Sequence, residues 1–351
     1  MDGYESASAV TDAIVADIEK HLHRSKITYQ DEKILITGGA GFLGSYICEV
    51  LVAQGAKKVI CYDNLSSGQK ENLEGLREKE NFVFQVRDAT EPYDPGEHVD
   101  VVMHLASRAS PFEFSHFPIQ IWRSNTLGTM NGLEVAKKYG ATFFYSSTSE
   151  VYGDPDDSHV PTPESYWGHA NPNGPRSCYD ESKRAGEAIV KAYELEHKID
   201  TRIARIFNTY GPRIRGGPQF GRVVPNFIEQ AILGKPITIF GDGKQTRSFT
   251  FVSDEVEGLL RMANPAMEQS RGEVINIGND KEDTVEDLAK LIIEMTGSTS
   301  KLQYNPLPKD DPVRRCPVLE KAKSVLDWEP RTPLKEGLKY TIPWFRFKLS
   351  S

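Results

Sequence analysis

Tyr179 and Lys183 stand four residues apart in a stretch of helical periodicity, which puts a phenol and an ammonium on one face. A nearby cation lowers a phenol pKa, making Tyr179 a general base toward an alcohol. The spacing alone is weak. With 14 tyrosines and lysine at about 7% of positions, on the order of one chance match is expected, and Tyr29–Lys33 is one. Position favours Tyr179, which follows the fifth of a series of β-rich runs, where a catalytic group meets a ligand at a sheet's carboxyl edge. Directly after that run comes Ser146-Ser147-Thr148-Ser149-Glu150-Val151-Tyr152-Gly153. Hydroxyls and a carboxylate at a strand end suit binding a polyol and handling protons. The same residues also make an ordinary turn capped by its own side chains.

A glycine pattern precedes these groups. In Thr37-Gly38-Gly39-Ala40-Gly41-Phe42-Leu43-Gly44, three glycines recur every third residue between a short β-rich run and a helical one. Small residues there let the backbone turn tightly against a pyrophosphate, whose charge suits a helix N-terminus. Asp63 closes the second β-rich run and is followed by Asn64. A carboxylate at that point takes both ribose hydroxyls of an adenosine and repels a 2′-phosphate. No Lys or Arg occurs within 64–67, which favours NAD over NADP. Asp88-Ala89 after the third run can accept the adenine amino group or serve as a plain loop. Leu105-Ala106-Ser107 ends the fourth run beside the expected pyrophosphate path.

These groups need a scaffold. Lys33–Thr37, Val59–Asp63, Phe82–Arg87, Val99–Leu105, Ala141–Ser146 and Thr201–Phe207 read as strands, and Ser45–Gln54, Ile119–Tyr139 and Ser177–His197 as helices between them. Such alternation implies an α/β, Rossmann-type doubly wound parallel sheet. After about Asn208 glycine and proline become frequent, and helices are predicted at Val223–Leu233, Asp254–Ala263, Val285–Thr296 and Leu319–Leu326. The division expected is a dinucleotide-binding domain over 33–207, to which the chain returns around 249–263, and a smaller α/β lobe over 208–351. Before both, Val10, Ile14, Ile18 and Leu22 recur every four residues. They predict an amphipathic helix in an extension over 1–32, docked on its own domain or on a partner subunit, or serving as a regulatory arm.

Composition narrows the classes. The 351 residues carry 42 basic and 50 acidic side chains, a net charge of −8, so the basic field of a nucleic-acid binder is missing. No run approaches the ~18 apolar residues that span a bilayer. The acidic start, Met1-Asp2-Gly3-Tyr4-Glu5, does not read as a signal peptide. Cys48, Cys61, Cys178 and Cys316 are scattered without a CxxC pair, so no disulfide scaffold and no metal site is expected, and a cytoplasmic location follows.

The glycine fingerprint, Thr148-Ser149-Glu150 and the Tyr179/Lys183 pair, in that order, resemble the extended short-chain dehydrogenase/reductases. The resemblance runs over roughly Lys33 to Phe345, through Arg205–Arg213, Gly221–Phe227 and Gln245–Phe249. Those segments look like the nucleotide-sugar branch. Within it, Tyr166–Pro172, Pro175–Glu181 and Asp310–Pro317 are most similar to the UDP-glucuronate decarboxylases.

That resemblance implies a catalytic set of Thr148, Ser149, Glu150, Tyr179, Lys183 and Arg315, and NAD as cofactor. Gly38, Gly41, Phe42, Leu43, Gly44, Asp63, Asn64, Asp88, Ala89, Leu105, Ala106 and Ser107, with Tyr179 and Lys183, would hold that cofactor. It implies that Asn208, Arg222, Val223 and Arg247 hold the nucleotide of UDP-glucuronate. Arg315 would position the ring and carboxylate, and Glu150 would orient water or act as a base. The family has Tyr near position 114, whose hydroxyl reaches the sugar carboxylate. This chain has Phe114, and Arg108 nearby is a substitute contact or a solvated loop charge.

The expected reaction is oxidation at C4, loss of CO2 and reduction to UDP-xylose, with NAD regenerated each turnover. A 4-epimerase or 4,6-dehydratase shares all but the 149–150 pair and the Arg315 segment. A dehydratase carries Asp where Ser149 stands. An NAD sensor without turnover would be expected to lack Tyr179 or Lys183. By analogy with the superfamily, Ile119–Tyr139 and Ser177–His197 would pair across a two-fold axis in a homodimer.

Overall fold

The computed structural model describes residues 4–217, 222–306 and 314–350. Gly221 and Asp310–Val313 of the motifs above, and Met1–Gly3, lie outside them.

A seven-stranded, all-parallel sheet forms the centre. Its first six strands are β1 (Lys33–Thr37), β2 (Lys58–Asp63), β3 (Phe82–Val86), β4 (Val101–His104), β5 (Thr142–Thr148) and β6 (Thr201–Ile206). The order across the sheet is Val274–Ile277, β6, β5, β4, β1, β2, β3. β1, β4 and β5 are buried along nearly their whole length, as a sheet covered on both faces requires. The seventh strand, Val274–Ile277, was not anticipated. The chain's return to the sheet therefore extends past 249–263 as far as Ile277, which pairs with Ile206. Val-Ile-Asn-Ile, four residues of which three are apolar, is too short a pattern to separate strand from buried loop.

α1 (Ala7–Arg24) is capped by Ser6, whose hydroxyl accepts from the Ala9 N–H at 3.1 Å. Val10, Ile14, Ile18 and Leu22 are all buried, and the helix packs on its own chain. Its neighbours there are α2 (Phe42–Ala53), a helix at Val252–Ala263 and the C-terminal helix Leu334–Ser350. Tyr29, the chance partner of Lys33, donates its hydroxyl to the Leu260 carbonyl at 2.7 Å within the core. The Leu334–Ser350 helix was likewise not anticipated.

The remaining helices that bear on the site are α3 (Pro111–His116), α4 (Pro118–Tyr139), α5 (Ser177–His197) and α6 (Val223–Ile232). α4 and α5 lie side by side on one face of the sheet, and glycine in the left-handed region (Gly140, φ 69°) ends α4. β1 is the switch point. The chain runs from it to β2 and β3 on one side and to β4, β5 and β6 on the other, which opens a crevice at the strands' carboxyl ends. Short strand pairs from the later chain, Thr246–Ser248 with Glu282–Thr284 among them, supply Arg247 to that crevice.

Candidate active site

One cleft of about 630 Å³ occupies the crevice. Every residue assigned to the site from sequence lines it: Gly38, Gly41–Gly44, Asp63, Asn64, Asp88, Ala89, Leu105–Arg108, Thr148–Glu150, Tyr179, Lys183, Asn208, Arg222, Val223, Arg247 and Arg315.

At one end lies a cradle for a pyrophosphate. Gly38 has φ +81°, and a Cβ there would meet Ala106 N at 2.6 Å and Ala106 Cα at 2.7 Å. Only glycine satisfies both the left-handed backbone and the close approach of β4's end. A Cβ on Gly44 would collide with the Gly38 carbonyl oxygen. Gly41 starts α2 without a side-chain cap, which leaves the first N–H groups of that helix facing the cleft. The Asp63 carboxylate, at the end of β2, accepts from the Ala40 N–H at 3.0 Å and the Leu65 N–H at 2.8 Å. Burial pushes its pKa up against those two bonds. Asn64 donates to Asp88 at 3.0 Å, tying the ends of β2 and β3 together. These features fit the adenosine and pyrophosphate of a nicotinamide dinucleotide. Among the described residues, no group of three or more His, Cys, Asp or Glu side chains is set to hold a metal ion.

At the middle of the cleft stand the groups for proton chemistry. Tyr179 and Lys183 both lie in the first two turns of α5 and are buried. The Lys183 ammonium is 6.0 Å from the Tyr179 ring centre and donates to the Ser146 carbonyl at 2.6 Å. Its pKa is lowered to about 7 by burial, against the opposing pull of Glu187. Tyr179 is pushed above the usual phenol range, by burial first and the Glu150 charge second, while a hydrogen bond with Thr148 opposes the rise. The lowering of the phenol by Lys183, expected from spacing, is not among the chief influences on Tyr179, and burial dominates. Phe114 of α3 stacks on Tyr179 with ring centres 4.9 Å apart and planes 16° apart, fixing the phenol's plane.

Glu150 is gripped by two arginines. Arg315 bonds both of its oxygens, with Nη2 at 2.9 Å from Oε2, and Arg176 adds a further bond to Oε2. Burial opposes the charge on Glu150, but Arg176, Arg315 and Arg247 overcome it and hold the carboxyl well below its usual range. A carboxylate so held is a weak base. Arg315 thus faces Glu150, and Glu150 so paired is not a free carboxylate. Arg108 is not a solvated loop charge either, for it pairs with buried Glu113 at 2.9 Å and lies 4.2 Å over the Phe117 ring. At the far end, Arg222 precedes α6 and donates to the Ala109 carbonyl at 3.5 Å, and Arg247 donates to the Thr246 carbonyl at 2.8 Å.

Sequence reasoning missed three contributors. Arg176, three residues before Tyr179, carries a signal in its place at the N-cap of α5. Asp180, buried behind Arg176, and Arg215, which reaches the Ser67 carbonyl at 3.1 Å beside the cleft, have no local signature.

The NAD dependent epimerase/dehydratase family matches residues 34–278. The chain is 45% identical over 318 residues to UDP-glucuronic acid decarboxylase 1 of Xenopus tropicalis, covering 91% of this chain and 73% of that one. It is 44% identical over 329 residues to UDP-glucuronic acid decarboxylase 3 of Arabidopsis thaliana, covering 94% and 93%. Among solved structures, UDP-glucose 4-epimerase of Thermotoga maritima with UDP-glucose superposes with a TM-score of 0.80, 34% identity and coverage of 90% and 99%. A dTDP-glucose 4,6-dehydratase of Streptomyces venezuelae with NAD bound gives a TM-score of 0.79, 26% identity and coverage of 90% and 97%.

Proposed function

The chain belongs to the NAD dependent epimerase/dehydratase family, and within it we infer that it decarboxylates UDP-glucuronate to UDP-xylose, as an NAD-dependent carboxy-lyase. The observation that carries this reading is the Glu150–Arg315 pair beside Tyr179 in a chain 44–45% identical to decarboxylases. Arg315 lines the cleft beside Tyr179, and a guanidinium there suits an anionic sugar carboxylate better than a neutral hydroxymethyl.

Gly38 and Gly41–Gly44 hold the NAD pyrophosphate, Asp63 the adenosine ribose, and Tyr179 with Lys183 the nicotinamide ribose. Asn64, Asp88, Ala89 and Leu105–Ser107 close around the same path. NAD, when bound, supplies a reversible acceptor for the hydrogen at sugar C4. Asn208, Arg222, Val223 and Arg247 hold the uridine diphosphate. Tyr179, hydrogen-bonded to Thr148, takes the proton of O4. The ketone at C4 is β to the C6 carboxylate, so CO2 departs and leaves an enolate on O4. Tyr179, Thr148 and Ser149 stabilise that charge where it develops. Glu150 serves proton delivery at C5, and reduction at C4 completes the turnover.

α4 exposes Ile119, Trp122, Leu127 and Met130, large apolar side chains beside α5. They support a homodimer across α4 and α5, which sedimentation equilibrium showing a monomer at micromolar concentration would contradict. All four cysteines are free and buried and no helix among the described residues is long and apolar enough to cross a membrane. The free cysteines support a cytoplasmic location, which recovery of the chain from a secretory compartment would overturn.

The decisive assay gives purified protein UDP-glucuronate without added NAD and follows CO2 and the nucleotide product by mass spectrometry. Release of CO2 with UDP-xylose is expected. No CO2 from UDP-glucuronate, or epimerised or dehydrated product from UDP-glucose, would refute the reading.

A further inference from the structure

Glu150 presents a chemical conflict. Proton delivery requires it to exchange a proton, yet two guanidiniums hold its charge in place. One of them has to leave. Arg315 grips both oxygens, whereas Arg176 bonds Oε2 and has a second carboxyl group within reach. Asp180 Oδ2 lies 3.8 Å from Arg176 Nε, one helical turn along. Asp180 is 6% exposed, and its Oδ1 is buried without a hydrogen-bond partner among the described residues. A buried oxygen left unpaired is costly and rare in folded proteins, and it marks a group awaiting a partner. The Arg176 guanidinium also lies 5.5 Å over the Phe114 ring, a flat surface on which it can shift without losing contact.

We propose that Asp180 is a positioning residue for this reaction, taking the Arg176 guanidinium from Glu150 so that Glu150, held by Arg315 alone, can carry the proton to C5. The inference rests on the decarboxylase reading above. Its charges balance. As Arg176 moves toward Asp180, one proton leaves the Asp180 carboxyl and one is gained by Glu150, so the cluster's net charge is unchanged. Solvent restores the proton consumed when C5 is protonated. The groups facing Asp180 agree with this starting state. Burial and then the charge of Glu150 raise its pKa, Arg176 and Arg315 work against the rise, and neighbouring Glu181 adds to it. Cys178, also adjacent, has its thiol pKa raised, chiefly by burial, and adds no charge of its own.

The test compares wild type, Asp180→Asn, Asp180→Glu, Arg176→Met and the Asp180→Asn/Arg176→Met double variant as holoenzymes. Asp180→Asn should lower kcat for CO2 release by about 10²-fold, the usual size of a lost proton-transfer contribution, with KM and UDP affinity unchanged. Because C5 protonation precedes reduction at C4, reduced-nicotinamide absorbance should build up in that variant. Asp180→Glu should restore part of the rate. In the Arg176→Met background no guanidinium remains to be exchanged, so adding Asp180→Asn should change nothing further. Wild-type kcat in Asp180→Asn, or the same loss in both backgrounds, overturns the proposal while leaving the decarboxylase reading intact. A wild type that releases no CO2 overturns the functional reading, and this inference with it.

Discussion

Gly38→Ala separates two costs that usually arrive together. The residue has φ +81°, and its Cβ would come within 2.6 Å of Ala106 N. Gly55 has nearly the same backbone, φ +78°, but nothing lies within 4 Å of its Cβ position. A left-handed alanine costs about 1–2 kcal/mol at either site. Crowding against β4's end adds about 1–3 kcal/mol at Gly38 alone. Gly38→Ala should therefore destabilise the protein by about 2–5 kcal/mol and Gly55→Ala by about 1–2 kcal/mol. Part of the Gly38 cost can be relieved by a shift of the Gly38–Gly44 turn away from Ala106, and that shift should appear as weaker NAD binding. Denaturant midpoints on the two variants, with NAD titration beside them, measure both effects. Gly75→Ala is a control, since its nearest neighbour, Glu49 Oε1, is at an ordinary 3.7 Å. Equal destabilisation in Gly38→Ala and Gly55→Ala, with NAD affinity intact in both, would show that the turn does not press against the cofactor path as argued.

Two further changes probe other parts of the chain. Asp63→Arg removes the acceptor expected for the adenosine diol and introduces a partner for a 2′-phosphate, so the ratio of NAD to NADP affinity should fall by at least about tenfold, or 1.4 kcal/mol; an unchanged ratio in paired titrations argues against the assigned ribose site. Ile18→Ala, at a fully buried position of α1, should cost about 2–5 kcal/mol in a denaturant melt, and a loss below about 0.5 kcal/mol, the range of surface substitutions, would mean the N-terminal helix is a dispensable arm.

Several decisions were local and readable in the chain itself. Glycine every third residue between a strand and a helix leaves few alternatives, because the reason for each glycine is backbone geometry within a few residues. Val10, Ile14, Ile18 and Leu22 announced α1 by period alone, and Tyr179 with Lys183 announced one face of α5. The tertiary structure decided the rest. The partner of α1 was open in sequence, since a buried stripe specifies apolar contact without naming its source, and the fold supplied the chain's own helices. Val274–Ile277 joins the sheet because β6 offers an edge, a fact absent from its four residues. The ion pair of Glu150 with Arg315 joins residues 165 apart, and no spacing rule reaches that far. Electrostatics followed the same division. Spacing placed a lysine on the same helix face as a tyrosine, but only the depth of their burial decided that desolvation dominates the titration of both.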